Sequence, residues 1–310
     1  HLVCGFESTY PTEGFRMNDS TSSTIASKSN LERQTIRRER IRLVLKDKTF
    51  LVGAVILGFW VVLAIFGTVI APKGAGDQNF NFVSQSPSSD FLFGTDANGR
   101  DIFSRVILGT RLIVVMAFSA TILGTILGTS LGLATGYFKG KFDMIVMRLI
   151  EAVSAIPVLI IALLAIAALD GRSPTLTVIV IGFVFTPNIG RTVRAAVLGE
   201  SELEYVAAAR LRTERTRHIL FREILPNVLP PIIVEFTVRL GYAIFAIATL
   251  SFLGAGVEYG SPNWGSQIAE NWGNIYSNVW WPTAFPALAI ASLAVSINLI
   301  SDSLLEIFEL

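Results

Sequence analysis

The chain has 310 residues, of which 52% are hydrophobic and only 16% are charged. A soluble domain of this length carries about a quarter charged residues, so the composition excludes an ordinary soluble protein and indicates one that crosses a membrane several times. The net charge of +1 gives no case for nucleic-acid binding, and one cysteine and two histidines predict neither an internal disulfide nor a metal site.

The N-terminal region is polar and becomes basic before the first apolar run. Residues 1–27 are rich in Ser and Thr without periodicity and are predicted to be disordered, with Met17 as an alternative start. Between Lys28 and Lys48 there are eight basic residues against three acidic ones. This pattern predicts a cytoplasmic tail over residues 1–48, disordered to amphipathic, followed by a transmembrane domain over residues 49–310.

Six apolar stretches predict six transmembrane helices, and hence an all-α polytopic membrane protein. The predicted spans cover residues 50–71, 111–137, 144–169, 175–189, 232–254 and 282–308. Proline is expected to kink the third span at Pro157 and to interrupt the fourth at Pro187. Basic residues are concentrated in the tail, the 137–143 turn and the 190–231 loop, which predicts that these segments and both termini are cytoplasmic.

The predicted external loop, residues 73–110, contains a motif of glycines and charged residues. Its members are Gly94, Thr95, Asp96, Gly99, Arg100, Asp101 and Arg105. Acids alternating with arginines are compatible with a binding site. The simpler interpretation, which we favour, is a capped turn leading into a short interfacial helix, with Thr95 or Asp96 as the N-cap and the charges paired locally.

Four glycines recur at every fourth position of the second predicted span. They are Gly124, Gly128, Gly132 and Gly136. This spacing places all four on one face of a helix, and small residues let two helices approach closely in lipid. We expect this face to pack against another helix; the alternative is that it lines a pore.

Charged and aromatic residues near the ends of the spans give further expectations. Glu235 and Arg239 are predicted to form an ion pair, because residues three or four apart are neighbours on a helix. For Arg148 and Glu151 a local ion pair is the alternative to the interpretation we favour, in which these side chains extend to the membrane interface. The four tryptophans within residues 255–281 are predicted to form an interfacial aromatic belt.

The polar stretch from residue 202 to residue 231 interrupts the apolar pattern. It contains five arginines, each of which would cost at least ~2.5 kcal/mol at the centre of a bilayer. The stretch must therefore face water, and its arginines predict the cytoplasmic side. An alanine-rich segment over residues 204–212 and a second segment ending before Pro226 predict two short helices, which are suited to docking into a groove of a cytoplasmic partner.

The sequence has no motif for catalysis or cofactor binding. The segment from Gly136 to Phe142 is one residue short of the phosphate-binding loop spacing, and Phe142 stands where a serine or threonine would hold magnesium. The spans also lack the mid-membrane acids of ion-coupled carriers. We therefore predict a protein that is not an enzyme, binds no ATP, cofactor or metal ion, and is driven by a partner.

Several of these segments resemble a known family when taken together. The loop motif consists of Glu204, Tyr205, Val206, Ala207, Ala208, Ala209 and Arg210, followed by Ile224, Leu225, Pro226 and Asn227. It resembles the EAA loop of permease subunits in ATP-binding-cassette (ABC) importers. The 93–105 motif, residues 250–254 and residues 264–265 resemble the second, C-type permease subunit of the dipeptide/oligopeptide/nickel branch. The resemblance covers residues 40–310, with two departures: Ala207 replaces the family's loop glutamate and Thr213 its usual glycine.

The resemblance implies a type I ABC importer permease fold in the cytoplasmic membrane, with a cytoplasmic coupling loop over about 190–231. It implies a homologous second permease, two cytosolic ATPases and an external substrate-binding protein as partners, besides the membrane lipid. Peptides are the expected substrate, and nickel or another small solute is the alternative within the family. An ATP-independent channel or carrier, or a membrane scaffold, is the alternative from another class.

Overall fold

The computed structural model describes residues 43–169, 173–258 and 260–309. Most of the predicted N-terminal tail and the turn at 170–172 lie outside the described residues. Within them the structure is helical, and the only β pairing described is an isolated bridge between Thr95 and Asp101. The all-α prediction is confirmed.

The helices are numbered here in chain order. They are α1 (Lys48–Ile70), α2 (Ile102–Phe138), α3 (Gly140–Ser154), α4 (Val158–Ala168), α5 (Pro174–Glu200), α6 (Glu204–Leu211), α7 (216–227), α8 (Leu229–Phe252), α9 (Trp264–Asn271) and α10 (Trp281–Glu309). Short 3₁₀ turns occur at Phe80–Phe82 and Trp272–Ser277. The hydrogen-bonding pattern of α7 changes along its length. An α-helical turn at Thr216–His218 is followed by a π-helix at Ile219–Ile224 and an α-helical turn at Leu225–Asn227.

Five of these helices, α1, α2, α5, α8 and α10, are long and apolar enough to cross a membrane. The third predicted span is broken: α3 and α4 are together long and apolar enough to cross a membrane, but they meet at an angle of 87°. The expected kink at Pro157 is therefore a full break. Pro157 disfavours helical conformation in the residue before it and is itself extended, with ψ of 131°, as the N-cap of α4.

The helix that contains the second predicted span begins before residue 111, the predicted start of the span. Helix α2 begins at Ile102, and its N-cap is Asp101, whose carboxylate accepts a hydrogen bond from the Ser104 backbone N–H at 3.0 Å. Neither Thr95 nor Asp96 caps it, and the expected short interfacial helix is the first turns of α2. The side chain of Arg105, in these first turns, is 1% exposed and paired inside the protein rather than facing solvent.

The predicted interruption at Pro187 was also wrong. Helix α5 continues through Pro187 to Glu200, well past the predicted end at residue 189. Proline is tolerated in such helices when neighbouring helices hold the backbone in place, and α5 packs along α2 over much of its length.

The glycine face of α2 forms the contact with α5. A Cβ atom on Gly128 would lie 2.6 Å from Cβ of Ile189, and one on Gly132 would lie 2.6 Å from Cβ of Val193. Gly124 and Gly136 meet α5 at comparably short distances. Any larger side chain would push the two helices apart, so the four glycines let α2 and α5 pack as one unit.

Candidate functional site

Helix α6 opens the polar loop and presents one face outward. Val206 and Ala209 are fully buried, with 0% exposure, and hold the helix against the rest of the chain. Glu204, Ala207 and Arg210, spaced three residues apart, are exposed. The alanines favour a helix at this length, and the buried pair fixes which side faces out.

The end of α6 shows why glycine is usual at the position of Thr213. The backbone N–H of Glu214 donates to the carbonyl of Ala209 (3.2 Å), and that of Thr213 donates to the carbonyl of Arg210 (2.9 Å). This pair of bonds is the Schellman motif, in which the residue after the helix cap takes a left-handed conformation and is usually glycine. Thr213 has φ of +55°. A β-branched residue therefore occupies a position that favours glycine.

Helix α7 is anchored by its apolar residues. Ile219 and Ile224 are 2% and 0% exposed, and Leu225 packs against the same core. Pro226 is exposed at the end of the helix. The next residue, Asn227, reaches back to α6 through its side chain.

Tyr205 joins three parts of the loop region. Its hydroxyl donates to Glu200 Oε2 at 2.6 Å and accepts from Asn227 Nδ2 at 3.1 Å. Burial, followed by the hydrogen bond to Glu200, raises the pKa of Tyr205 to about 12. The phenol therefore stays protonated and links α6 to the end of α5 and to α7.

Two further contacts fasten the loop region to α2. The guanidinium of Arg210 lies over the ring of Tyr137, 5.0 Å from its centroid. Lys139 pairs with Glu202, and the hydrogen bond and charge of Lys139 lower the pKa of the Glu202 carboxyl. Movement of α6 is thus connected directly to the ends of α2 and α5.

A second group of charged residues lies at the other end of α2. We call Asp96, Arg100, Asp101, Arg105 and Glu270 the buried charge cluster. Arg100 Nε contacts Asp96 Oδ2 at 2.6 Å, and both arginines contact Glu270 Oε2, Arg105 at 3.4 Å. The paired side chains are 6% exposed or less. The predicted local pairing is confirmed for Asp96 with Arg100, whereas the pairs with Glu270 join residues far apart in sequence.

Two glycines shape the loop that carries the cluster. Gly94 and Gly99 have φ of +73° and +70°. A Cβ atom on Gly99 would lie 2.0 Å from the carbonyl oxygen of Asn79, and one on Gly94 would lie 2.5 Å from that of Gln85. The backbone N–H of Gln85 in turn donates to Thr95 Oγ1 at 2.9 Å. The motif glycines therefore close the chain onto itself around the charges.

Helix α9 supplies two residues that the sequence did not point to, Gln267 and Glu270, besides Trp264 of the family-like segment. Gln267 Nε2 donates to the Arg105 carbonyl at 3.1 Å, and Trp264 Nε1 donates to the Val106 carbonyl at 2.8 Å. Trp264 is 0% exposed, so the expected aromatic belt is wrong for that residue. In the sequence, the polar segment of α9 beside an apolar span was the feature that could have indicated a role for Glu270.

Two protein-family models match this chain. Residues 124–310 match the family model described as binding-protein-dependent transport system inner membrane component. Residues 37–87 match the N-terminal transmembrane domain of oligopeptide transport permease C.

Curated relatives match over most of their length. A dipeptide transport system permease protein DppC of Alkalihalophilus pseudofirmus is 35% identical over 86% of this chain and 87% of its own. The protein of the same name from Bacillus subtilis is 30% identical over 95% of this chain and 91% of its own. The glutathione transport system permease protein GsiD of Pectobacterium atrosepticum is 31% identical over 86% and 88%.

Among solved structures, a chain of the MetNI methionine ABC transporter in an inward-facing conformation has the same fold. The TM-score is 0.54 at 19% identity, covering 66% of this chain and 96% of that one. The helical architecture and both family matches agree with these relatives. The chain belongs to the binding-protein-dependent transport system inner membrane component family, the permease subunits of ABC importers, and to its C-type peptide-permease branch.

Proposed function

We propose that this chain imports di- or oligopeptides as one of two permease subunits that together enclose the translocation path. Relatives whose names specify dipeptides or glutathione, itself a tripeptide, support peptides as the substrate. Nickel or another small solute is the alternative within the family.

In the proposed orientation the 202–231 loop and both termini face the cytoplasm, and the buried charge cluster lies at the external end. The arginines of the loop and the basic residues around Lys139 and Lys141 support this orientation. An external binding protein then delivers substrate at the cluster end, while two cytosolic ATPases bind the loops of the permease pair.

The outward face of α6 is the proposed contact with the ATPase. Glu204 and Ala207 are both exposed and three residues apart, so their side chains leave the helix on the same side. A carboxylate on Glu204 can therefore reach the region that a glutamate at position 207 would occupy. We infer that Glu204 replaces the family's loop glutamate in the ATPase contact.

The contacts of the loop support a mechanism for transmission. Closure of the ATPases moves α6, and Tyr205, Arg210 and Glu202 carry that movement into the ends of α5 and α2. Because the glycine face packs α2 and α5 together, the two helices tilt as one body. Such rigid-body movement alternates access between the two sides of the membrane.

The observation that carries this proposal is the exposed face of α6, whose opposite face is held by the buried Val206 and Ala209. The test is a gentle detergent pull-down of the subunit from native membranes, followed by mass spectrometry. The unmodified chain should retain an ATPase and a second permease, and Glu204→Lys should lose the ATPase. Asp90→Lys is the control, because Asp90 is also an exposed acid but lies in the predicted external loop.

The alternatives from other classes give different results. A channel or carrier would move substrate in vesicles that lack ATP and ATPase. A scaffold would come down without an ATPase, and scrambling residues 204–217 would leave peptide uptake unchanged. Either outcome would overturn the proposed importer role.

A further inference from the structure

The polar loop contains three side chains whose proximity is not evident in the sequence. Glu214, His218 and Glu223 each offer a ligand atom, and these atoms all lie within 4.8 Å of one another. The composition predicted no metal site, because a lone histidine in the loop has no second histidine or cysteine near it. The fold adds two carboxylates to it.

The π-helical stretch of α7 is what brings Glu223 round to His218. In an α-helix, residues five apart point in directions about 140° apart, because each residue turns the chain by about 100°. In a π-helix the repeating bond joins residues five apart, so such residues lie above one another. The π-helix covers Ile219–Ile224 and thus fills the interval between the two ligands. π-Bulges of this kind are frequent at functional sites.

The carboxylate of Glu214 has one oxygen free for a ligand. Arg212 Nε donates to Oε1 at 2.8 Å. Oε2 is buried and has no hydrogen-bond partner among the residues that the structure describes. A buried carboxylate oxygen without a partner is costly, and it lies 3.5 Å from His218 Nε2.

That distance suits a shared metal ion better than a direct hydrogen bond, which prefers 2.7–3.2 Å as a general range. A tetrahedral zinc ion holds nitrogen and oxygen ligands at about 2.0–2.2 Å, which sets two of its ligands roughly 3.3–3.5 Å apart. The observed separation of Nε2 and Oε2, 3.5 Å, matches the edge of such a tetrahedron.

We propose that Glu214, His218 and Glu223 form a binding site for a divalent transition-metal ion, with Zn²⁺ the best fit. Imidazole nitrogen with carboxylate oxygen is a donor set that zinc accepts, whereas calcium and magnesium prefer oxygen alone. Three protein ligands leave a fourth position for water or for a group on a docked partner.

A bound ion would join the two short helices of the loop. Glu214 follows the end of α6 directly, while His218 and Glu223 belong to α7. The metal fixes the angle between the helices and thereby restrains the proposed coupling surface. This consequence rests on the proposed function; the site itself rests on the three side chains alone.

The test is a titration of the purified importer with Zn²⁺ alone, after chelation and against a zinc-binding dye. Affinity tags must lack histidine. His218→Asn and Glu214→Gln should each weaken one zinc equivalent per permease at least about tenfold, since even an indirect change at a metal site costs that much. Glu151→Gln, which removes an exposed carboxylate elsewhere, should bind zinc like the unmodified protein. Any zinc bound by His1, Cys4 or the partner subunits is common to all four samples.

A second measurement guards against variants that merely fold poorly. Zinc should slow proteolysis within residues 202–227 of the unmodified protein, and it should have no such effect on His218→Asn. Equal zinc affinity in all samples would reduce the cluster to an ion pair and overturn the proposal. If no ATPase co-purifies, the proposed function fails, but the same titration on the permease alone still decides the metal site.

Discussion

The buried charge cluster and the 202–231 loop are both rich in arginine and acidic residues, and both carry family motifs, yet their charges are buried in one and exposed in the other. In the cluster, Arg100, Arg105 and Glu270 are 6% exposed or less. In the loop, Arg212 is 57% exposed and Glu202 is 70% exposed. The same residue types thus hold the fold together at one end of α2 and remain open to a partner at the other.

The burial of the charged residues in a motif therefore needs to be known before the motif is interpreted as a binding site. A buried ion has been removed from water, so it depends on its partner. An exposed pair contributes at most about 1 kcal/mol, and its side chains can exchange partners at little cost. Of these two groups of charges, only those of the loop are therefore available to a second protein.

The largest expected effect comes from breaking a buried pair. Arg105→Met removes one cation from the cluster and leaves Glu270 with Arg100 alone, which should cost about 3–5 kcal/mol of stability. Arg212→Met, at an exposed pair, should cost less than about 1 kcal/mol. Thermal unfolding in detergent, followed by size-exclusion chromatography, measures both. Equal losses in the two variants would contradict the sorting by burial.

The next effect is local to the loop. Tyr205→Phe removes the hydrogen bond to the Glu200 carboxylate, which should cost about 1.5–3 kcal/mol as a bond to a charged group. Amide hydrogen exchange should rise at least about tenfold across residues 202–227. Exchange across residues 94–105 should not change, and a rise there as well would mean that the two ends of α2 are not independent.

A smaller effect is expected on function without any effect on stability. Glu204→Lys reverses the charge on an exposed side chain that has no ion pair among the described residues, so the melting temperature should stay the same. Peptide uptake should fall roughly tenfold, equivalent to about 1.4 kcal/mol of contact with the ATPase. Glu204→Lys with Ala207→Glu should recover part of the uptake. Full uptake in the single variant would refute the role given to Glu204.

Much of the fold was predictable because it depends on local pattern. Apolar length predicted the spans, and the expected Glu235–Arg239 pair is confirmed at 2.6 Å. Arg148 and Glu151, for which pairing was the alternative, also pair, at 3.1 Å. The first turns of α2 contain Arg105, whose partner Glu270 lies 165 residues away. No local pattern reveals a partner at that separation.

The loop shows a different limit. Its two helices follow from alanine content and proline position, but the π-helix that aligns His218 with Glu223 does not. Ile219 and Ile224, at the two ends of this π-helix, are both buried, so its position depends on tertiary packing rather than on local sequence. Which side chains meet across the loop therefore required the three-dimensional structure.

The smallest expected effect concerns Thr213, where the sequence departs from the family and the structure supplies the reason for the family's choice. The left-handed conformation costs a residue with a Cβ atom about 1–2 kcal/mol. A glycine avoids this cost, but it loses more conformational entropy on folding, which offsets part of the gain. Thr213→Gly should therefore stabilise the protein by about 0.5–1 kcal/mol. Thr213→Ala is the matched control: it keeps Cβ and should gain less. Hydrogen exchange of the Glu214 amide reports the change directly, since that amide closes the turn onto Ala209. Faster exchange in Thr213→Gly would show that the threonine is not strained, and the loop would then have adapted to it.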